Sequence, residues 1–181
     1  MMMKNKLRIE FKKIIKGNEK AFASSLLSDF LIEKKYKNIG IYLDIKNEIS
    51  IDNVIESLDA NLYVPYMEDN GSKKIENASM IFRKYTKDLA CLDDFNIRSS
   101  KGEIIETKEL DLIIIPALGL NMDGYRIGYG KACYDKALSN FNKTIIAVAY
   151  DNCLTDIAFQ EHHDKKVNFI CTEKRLFQVR G

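Results

Sequence analysis

The chain has little histidine, little net charge and no long apolar run, and each shortage removes a class of function. Its two histidines, His162 and His163, are adjacent, and its four cysteines, Cys91, Cys133, Cys153 and Cys171, form no CxxC pair. A zinc site needs close pairs of ligands, so none is expected. Ser-His-Asp and Cys-His nucleophiles are disfavoured because candidate bases are so few. The cysteines read as free thiols in a reducing compartment, with Cys91, Cys153 and Cys171 as core or near-core small hydrophobes. With 28 basic and 26 acidic residues the net charge is +2, without a long single-sign block, which argues against nucleic acid as a partner. The longest apolar run, Leu112 to Leu120, is far shorter than a membrane span. Lys4, Lys6 and Arg8 interrupt the start before a secretory segment can form. The reading is a cytoplasmic protein that uses no membrane.

What is present is an alternation of helix and strand. Leu7, Phe11, Ile14 and Ile15 recur at helical spacing and Gly17-Asn18 closes that helix. A second helix is expected from about Glu19 to Lys35, with Phe22, Leu26, Phe30 and Leu31 on one stripe. Ile39 to Leu43 reads as a strand, Asp52 to Leu58 as a helix and Asn61 to Pro65 as a strand. From Glu68 to Glu109 the pattern is less regular, an excursion with little helix beginning at the turn cluster Asp69-Asn70-Gly71-Ser72. Strands are expected again up to Ile115, from Thr144 to Ala149 and from Asn168 to Cys171. Helices are expected from about Lys131 to Leu138 and from Thr155 to Gln160. The expectation is an α/β protein in one domain spanning 1–181, a three-layer α/β/α sandwich around a mostly parallel sheet.

One stretch carries the chemistry. Leu112 to Ile115 reads as a buried strand stopped by Pro116. Gly124, Gly128 and Gly130 follow, interleaved with Arg126 and Lys131, and then a helix begins. A strand feeding a glycine-rich, cationic loop into a helix is a way of holding phosphate, because backbone N–H groups approach the anion closely. Asp135, one turn into the helix, is placed to hold a metal beside that phosphate. The same pattern also describes an ordinary turn. Walker A fails because Tyr125 occupies its first glycine position and Ala132 its hydroxyl position, and the dinucleotide pattern fails at Cys133. In an open α/β sheet, ligands sit beyond the carboxyl ends of the strands. The segments after Leu43, Ile115 and Ala149 meet there, bringing Asp44, Lys46, Asn47 and Glu48, then Arg126, Lys131 and Asp135, then Asp151 and Asn152.

Taken in order, Lys4-x-x-Leu7-Arg8, Asn47-Glu48-Ile49, Pro116-x-x-Gly119, Asp123-Gly124-x-Arg126-x-Gly128-x-Gly130-Lys131, Tyr134-Asp135, and His163-Asp164 with Thr172-Glu173 resemble the 5-formyltetrahydrofolate cyclo-ligase family, whose members are also called methenyltetrahydrofolate synthetases. The likeness spans nearly the whole chain and is weakest between Glu68 and Glu109. It implies an enzyme that phosphorylates the formyl oxygen of 5-formyltetrahydrofolate with ATP and lets N10 close the ring, giving 5,10-methenyltetrahydrofolate. The cofactors implied are ATP and magnesium, the partners a reduced folate and ATP, and the state a monomer.

Carried over by position, the resemblance implies that Lys4, Arg8, Arg126, Gly128, Gly130, Lys131 and Tyr134 bind ATP. Arg126 and Lys131 would neutralise the developing charge, and Asp135 and Asp164 would hold magnesium. Leu43, Glu48, Tyr129 and Cys133 would line the folate side. For Lys4 and Arg8 the other reading is a solvated helix face, for Glu48 an exposed loop acid, for Asp135 a helix N-terminal charge, for Asp164 a surface turn, and for Tyr134 a helix-flank tyrosine. His162 and His163 read as structural or exposed. The chain departs from the family at Ala132, where glycine is usual, at Cys133, where an aromatic is usual, and at Leu120-Asn121, Lys136 and Arg98-Ser99. Ala132 is expected to take a negative φ. The rival readings are a relative that binds folate or nucleotide with reduced or altered turnover, and an ATP-dependent enzyme with another small substrate.

Overall fold

A computed structural model describes residues 2–180. Its helices are α1 (Met2–Lys16), α2 (Ser25–Lys34), α3 (Asp52–Ile55) and α4 (Cys133–Ala137). The strands are β1 (Asn38–Gly40), β2 (Asn61–Glu68), β3 (Ser79–Lys84), β4 (Ala90–Leu92), β5 (Arg98–Ser100), β6 (Ile104–Ile105), β7 (Leu112–Pro116), β8 (Gly119–Asn121), β9 (Arg126–Ile127), β10 (Thr144–Val148), β11 (Leu154–Thr155), β12 (Phe169–Cys171) and β13 (Leu176–Gln178).

The main sheet has eight strands in the order β13-β12-β10-β7-β1-β2-β3-β6. Its centre, β12-β10-β7-β1-β2, is parallel, and β13, β3 and β6 join antiparallel at the edges. The apolar run of β7 is explained by burial on both faces: Leu112 and Ile114 pack with residues of α1, α2 and α3, while Ile113 and Ile115 pack with Leu138 and Phe141 after α4. The mixed α/β fold with a mostly parallel sheet is as the sequence predicts, although the layer holding α4 is thin. No helix among the described residues is long and apolar enough to cross a membrane.

α1 matters most for position. Leu7, Phe11 and Ile15 form its buried stripe, each worth about 1.5–3 kcal/mol of apolar burial. Phe11 lies against Gly119 of β8, where a Cβ would come within 2.3 Å of its ring carbons. That close approach seats α1 on the small sheet β11-β8-β9 and directs its first turns, with Lys4 and Arg8, at the loop after β9.

Two expectations are corrected. The second helix begins at Ser25, not near Glu19, because residues 21–24 extend and pair: Ala23 N donates to Ser50 O (2.9 Å) and Ser24 N to Thr172 O (3.0 Å). Ser24 then caps the helix through its side chain. Thr155 to Gln160 is not helical. Leu154 and Thr155 pair with Leu120 and Asn121, Met122 N donates to Thr155 O (3.1 Å), and the Thr155 hydroxyl accepts from Ile157 N (3.2 Å). Those long-range and turn bonds replace the helix ladder. The four cysteines are free, with Cys153 and Cys171 buried.

Candidate functional site

A cavity of about 440 Å³ opens beyond the carboxyl ends of β1, β2 and β7, lined there by Tyr42 and Leu43, by Met67 and by Pro116. All the residues that the family resemblance assigns to the site line it: Lys4, Arg8, Leu43, Glu48, Arg126, Gly128, Tyr129, Gly130, Lys131, Cys133, Tyr134, Asp135 and Asp164, whereas Asp44, Lys46 and Asn47, also expected at this edge, do not. The segment after β10 does not contribute. Asp151 instead accepts from Arg175 Nε (2.7 Å), and Asn152 faces Asn18.

The polar part is built on cations. Arg8 Nε donates to Gly128 O (2.8 Å), and its guanidinium covers Gly130, where a Cβ would sit 3.3 Å from Arg8 Cζ. Gly130 also has φ +96, a conformation that L side chains rarely adopt. A Cβ at Gly128 would lie 2.6 Å from Arg126 Nη1. The two glycines therefore let two guanidinium groups close on one loop.

Arg126 has only 7% of its side chain exposed, donates from Nη2 to Asp135 Oδ2 (2.9 Å) and lies over the Tyr134 ring (5.4 Å). Its Nε is buried without a hydrogen-bond partner. Lys4 Nζ bridges Asp164 Oδ1 (2.6 Å) and Glu161 Oε2 (3.2 Å). Lys131 is half exposed and meets Glu76 Oε2 at 3.0 Å.

The remaining lining is mostly apolar and holds two buried acids, Glu48 and Asp93. Glu48 is 8% exposed. A turn with Asn47 at φ 75 brings it back so that its Oε2 accepts from Ile45 N (3.0 Å). Burial pushes its carboxyl up to about 7, with Asp44 adding to the rise and the Ile45 bond opposing it. Burial likewise raises the Tyr134 and Tyr129 hydroxyls, each with Glu48 adding to the effect. Cys133 is half-buried and its thiol is pushed up by burial, so it behaves as a small apolar group.

The expectation for Ala132 is wrong. It stands at φ 53, ψ 20, in the left-handed region, as the N-cap of α4. The chain has to turn from Gly130 into a short helix there, and Lys136 N closes back on Ala132 O (3.0 Å), so position overrides the preference of alanine. α4 has five residues, too few to make its N-terminus a site, and the cationic side chains carry that role.

Asp135 and Asp164 both line the cavity, each held by a cation. Asp164 also belongs to a group with Glu161 and His163, whose ligand atoms all lie within 4.8 Å of one another. His162 and His163 are exposed, but His163 lines the cavity, which the sequence reading did not anticipate. Also missed were Asn5, Tyr42, Pro65, Met67, Ile75, Met80, Asp93, Ile97 and Arg98. Asp93 lies in the irregular stretch from Glu68 to Glu109, where no motif marks it. It is 6% exposed and accepts from the Met67, Phe95 and Ile97 amides, tying the excursion to the end of β2.

Comparison with known proteins agrees with this geometry. The chain is 30% identical over 135 residues to 5-formyltetrahydrofolate cyclo-ligase of Mycoplasma genitalium, covering 69% of this chain and 67% of that one. It is 30% identical over 127 residues to the Haemophilus influenzae protein of the same name, covering 65% of each. These two matches thus span about two thirds of the relatives' length, whereas the mouse protein of that name matches at 25% identity over 94% of this chain and 93% of its own. The solved structure of Aquifex aeolicus 5,10-methenyltetrahydrofolate synthetase superposes with a TM-score of 0.75 at 21% identity, covering 99% of this chain and 94% of that one, a likeness of fold. The profile of the 5-formyltetrahydrofolate cyclo-ligase family matches residues 2–173. A match of that extent, on a chain whose family-motif residues meet in one cavity, means that this protein belongs to the 5-formyltetrahydrofolate cyclo-ligase family of enzymes.

Proposed function

We propose that the protein converts 5-formyltetrahydrofolate to 5,10-methenyltetrahydrofolate with consumption of ATP and release of ADP and phosphate. The observation that carries this is the divided chemistry of the cavity. Arg8, Arg126 and Lys131 gather at two glycines, with the Arg126 Nε still without an acceptor among the described residues, while the mostly apolar lining holds the buried Glu48, the other buried acid there, Asp93, being taken up by the Met67, Phe95 and Ile97 amides. A polyanion suits the first set and a flat, N–H-rich heterocycle suits the second.

A formamide oxygen is a poor leaving group, and esterifying it with phosphate makes it a good one. The formyl oxygen takes the terminal phosphoryl group of ATP, N10 closes on the activated carbon and loses its proton, and phosphate departs. Such a transfer needs positioning and neutralisation of charge more than covalent help from the protein. Arg126 and Lys131 supply that neutralisation, and Lys4, Arg8, Gly128, Gly130 and Tyr134 complete the ATP side. Glu48 accepts from the pterin N–H groups, with Leu43, Tyr129 and Cys133 around it.

Magnesium fits the donors present. Carboxylate oxygens are its preferred protein ligands, and Asp135 and Asp164 offer them, with Glu161 beside Asp164. Bound there, the ion would offset phosphate charge, and Lys4 would exchange its present partners for the nucleotide while Arg126 keeps Asp135. The left-handed backbone of Ala132 keeps the turn that a glycine would make, which favours an active enzyme over a relative that only binds.

The test is incubation with 5-formyltetrahydrofolate and magnesium-ATP, following the methenyl chromophore. Absence of the chromophore with pure folded protein, or its formation without ATP, would overturn the proposal.

A further inference from the structure

We propose that Glu76 sets how tightly the site takes a nucleotide's phosphate chain, by occupying Lys131 until an anion displaces it. The inference rests on the assignment of Lys131 to the phosphates made above. Glu76 comes from a single turn, Ile75–Asn77, in the irregular excursion between β2 and β3, 55 positions before Lys131. Its backbone is fastened independently of its carboxylate. Lys136 Nζ donates to Glu76 O (2.8 Å), and the Cys133 thiol lies 3.8 Å from Ile75 O. Ile75 itself lines the cavity. The turn is therefore held against α4 at Cys133 and Lys136, while the Glu76 side chain reaches Lys131 Nζ at 3.0 Å.

That last link is easily exchanged. Lys131 and Glu76 are 50% and 45% exposed, so water screens the pair and each partner is readily re-solvated. A triphosphate brings more charge and more acceptor oxygens than one carboxylate, so it wins Lys131 without moving the backbone of the turn. What it gives up is the worth of the displaced pair. Exposed pairs of this kind correspond to a factor of roughly two to five in an equilibrium constant. Glu76 is thus a positioning residue that acts through Lys131, an internal competitor for the phosphate site rather than a group on the reacting atoms.

The experiment is a double-mutant cycle on the full chain, measuring magnesium-ATP binding by calorimetry at low salt in the absence of folate. Glu76→Gln should tighten binding by roughly two- to five-fold, and raising the salt should shrink that gain. In a Lys131→Ala background the same substitution should change nothing, because the cation it frees is gone. In turnover, Glu76→Gln should lower the Michaelis constant for ATP without raising kcat. Unchanged or weaker ATP binding in Glu76→Gln, with Lys131→Ala clearly weakened, would overturn the role of Glu76 and leave the phosphate assignment standing. If Lys131→Ala bound ATP as tightly as the unmodified protein, Lys131 would leave the phosphate site and Glu76 would lose its role with it. A gain that persisted in the Lys131→Ala background would equally overturn the proposal, since it would not pass through that lysine.

Discussion

Two ion pairs flank Ala132, and they are nearly equal in length. Arg126 meets Asp135 at 2.9 Å and Lys131 meets Glu76 at 3.0 Å. Their surroundings differ: the first pair is 7% and 15% exposed, the second 50% and 45%. Distance therefore says nothing about what either pair contributes, and solvent decides. Arg126 is locked, stacked on Tyr134 and enclosed by Gly128, and its removal leaves Asp135 a largely buried charge without its partner. Lys131 is held by a partner that water can replace. The loop thus presents one fixed cation and one exchangeable cation to the same cavity.

The largest expected effect tests that contrast. Arg126→Ala should destabilise the fold by about 3–5 kcal/mol, the cost of breaking a buried pair, and abolish turnover with it. Lys131→Ala should cost about 1 kcal/mol or less in stability. It should still lower kcat by a factor on the order of 10²–10³, as removal of a charge-stabilising donor does. Its effect on folate binding should be smaller. Urea unfolding midpoints set beside turnover rates decide the matter. Equal midpoint shifts for the two variants would erase the distinction between fixed and exchangeable cations.

The part of this site that one local stretch supplies was far more legible in the sequence than the part that long-range contacts bring in. Arg126, Gly128, Gly130, Lys131 and Asp135 fall within ten consecutive positions after a strand, so local pattern brings them together. Lys4 and Arg8 were legible only through the family resemblance, and the buried stripe Leu7, Phe11 and Ile15 is what turns them toward the cavity. Glu76, Asp93 and Arg98 were not, because they come from short antiparallel strands and single turns whose positions depend on long-range bonds. The Ser99 hydroxyl donating to Pro65 O (2.6 Å) is one such bond. The supposed helix from Thr155 failed for the same reason, since pairing with β8 outweighs a local helical pattern. Ala132 was misjudged from the preference of the residue alone, where the turn set by its neighbours governs.

A second contrast lies between the charged loop and Glu48, which forms no ion pair among the described residues. Its carboxyl rises from an ordinary 4.5 to about 7 mainly through burial. Between those values the folded protein keeps a proton that the unfolded chain has lost, so this group makes stability fall as pH rises through that window and level off above it. The shift corresponds to a cost on the order of 3 kcal/mol at pH 8. Glu48→Gln should therefore be more stable than the unmodified protein at pH 8, nearly equal at pH 4.5, and flatter in between. The same variant should raise the Michaelis constant for the folate more than it lowers kcat, because a neutral amide holds the pterin N–H groups less strongly. Thermal melts across pH, run beside folate titrations, check both. Equal pH dependence in the two proteins would mean that Glu48 is not the buried titrating group.

The smallest expected effect concerns the residue between the two pairs. Among the described residues Ala132 is one of five non-glycine residues with positive φ, together with Lys35, Asn47, Lys73 and Asn96. Asparagine tolerates the left-handed region through local hydrogen bonds of its side chain, which alanine lacks. Holding alanine there costs about 1–2 kcal/mol, while a glycine loses about 0.5–1 kcal/mol more chain entropy on folding. Ala132→Gly should therefore stabilise the protein by about 1 kcal/mol or less, raising the urea midpoint without changing its slope. ATP affinity should stay the same, since both residues place Lys131 and Asp135 alike. Pairing the substitution with Cys133→Tyr adds aromatic area at the cavity wall and should tighten 5-formyltetrahydrofolate binding, with ATP binding again unaffected. A fall in stability for Ala132→Gly would show that the turn is held in its left-handed form by Lys131–Glu76 and Arg126–Asp135 on either side, at no cost to the alanine. Unchanged folate affinity in the double variant would show that neighbouring side chains already fill the space beside Cys133.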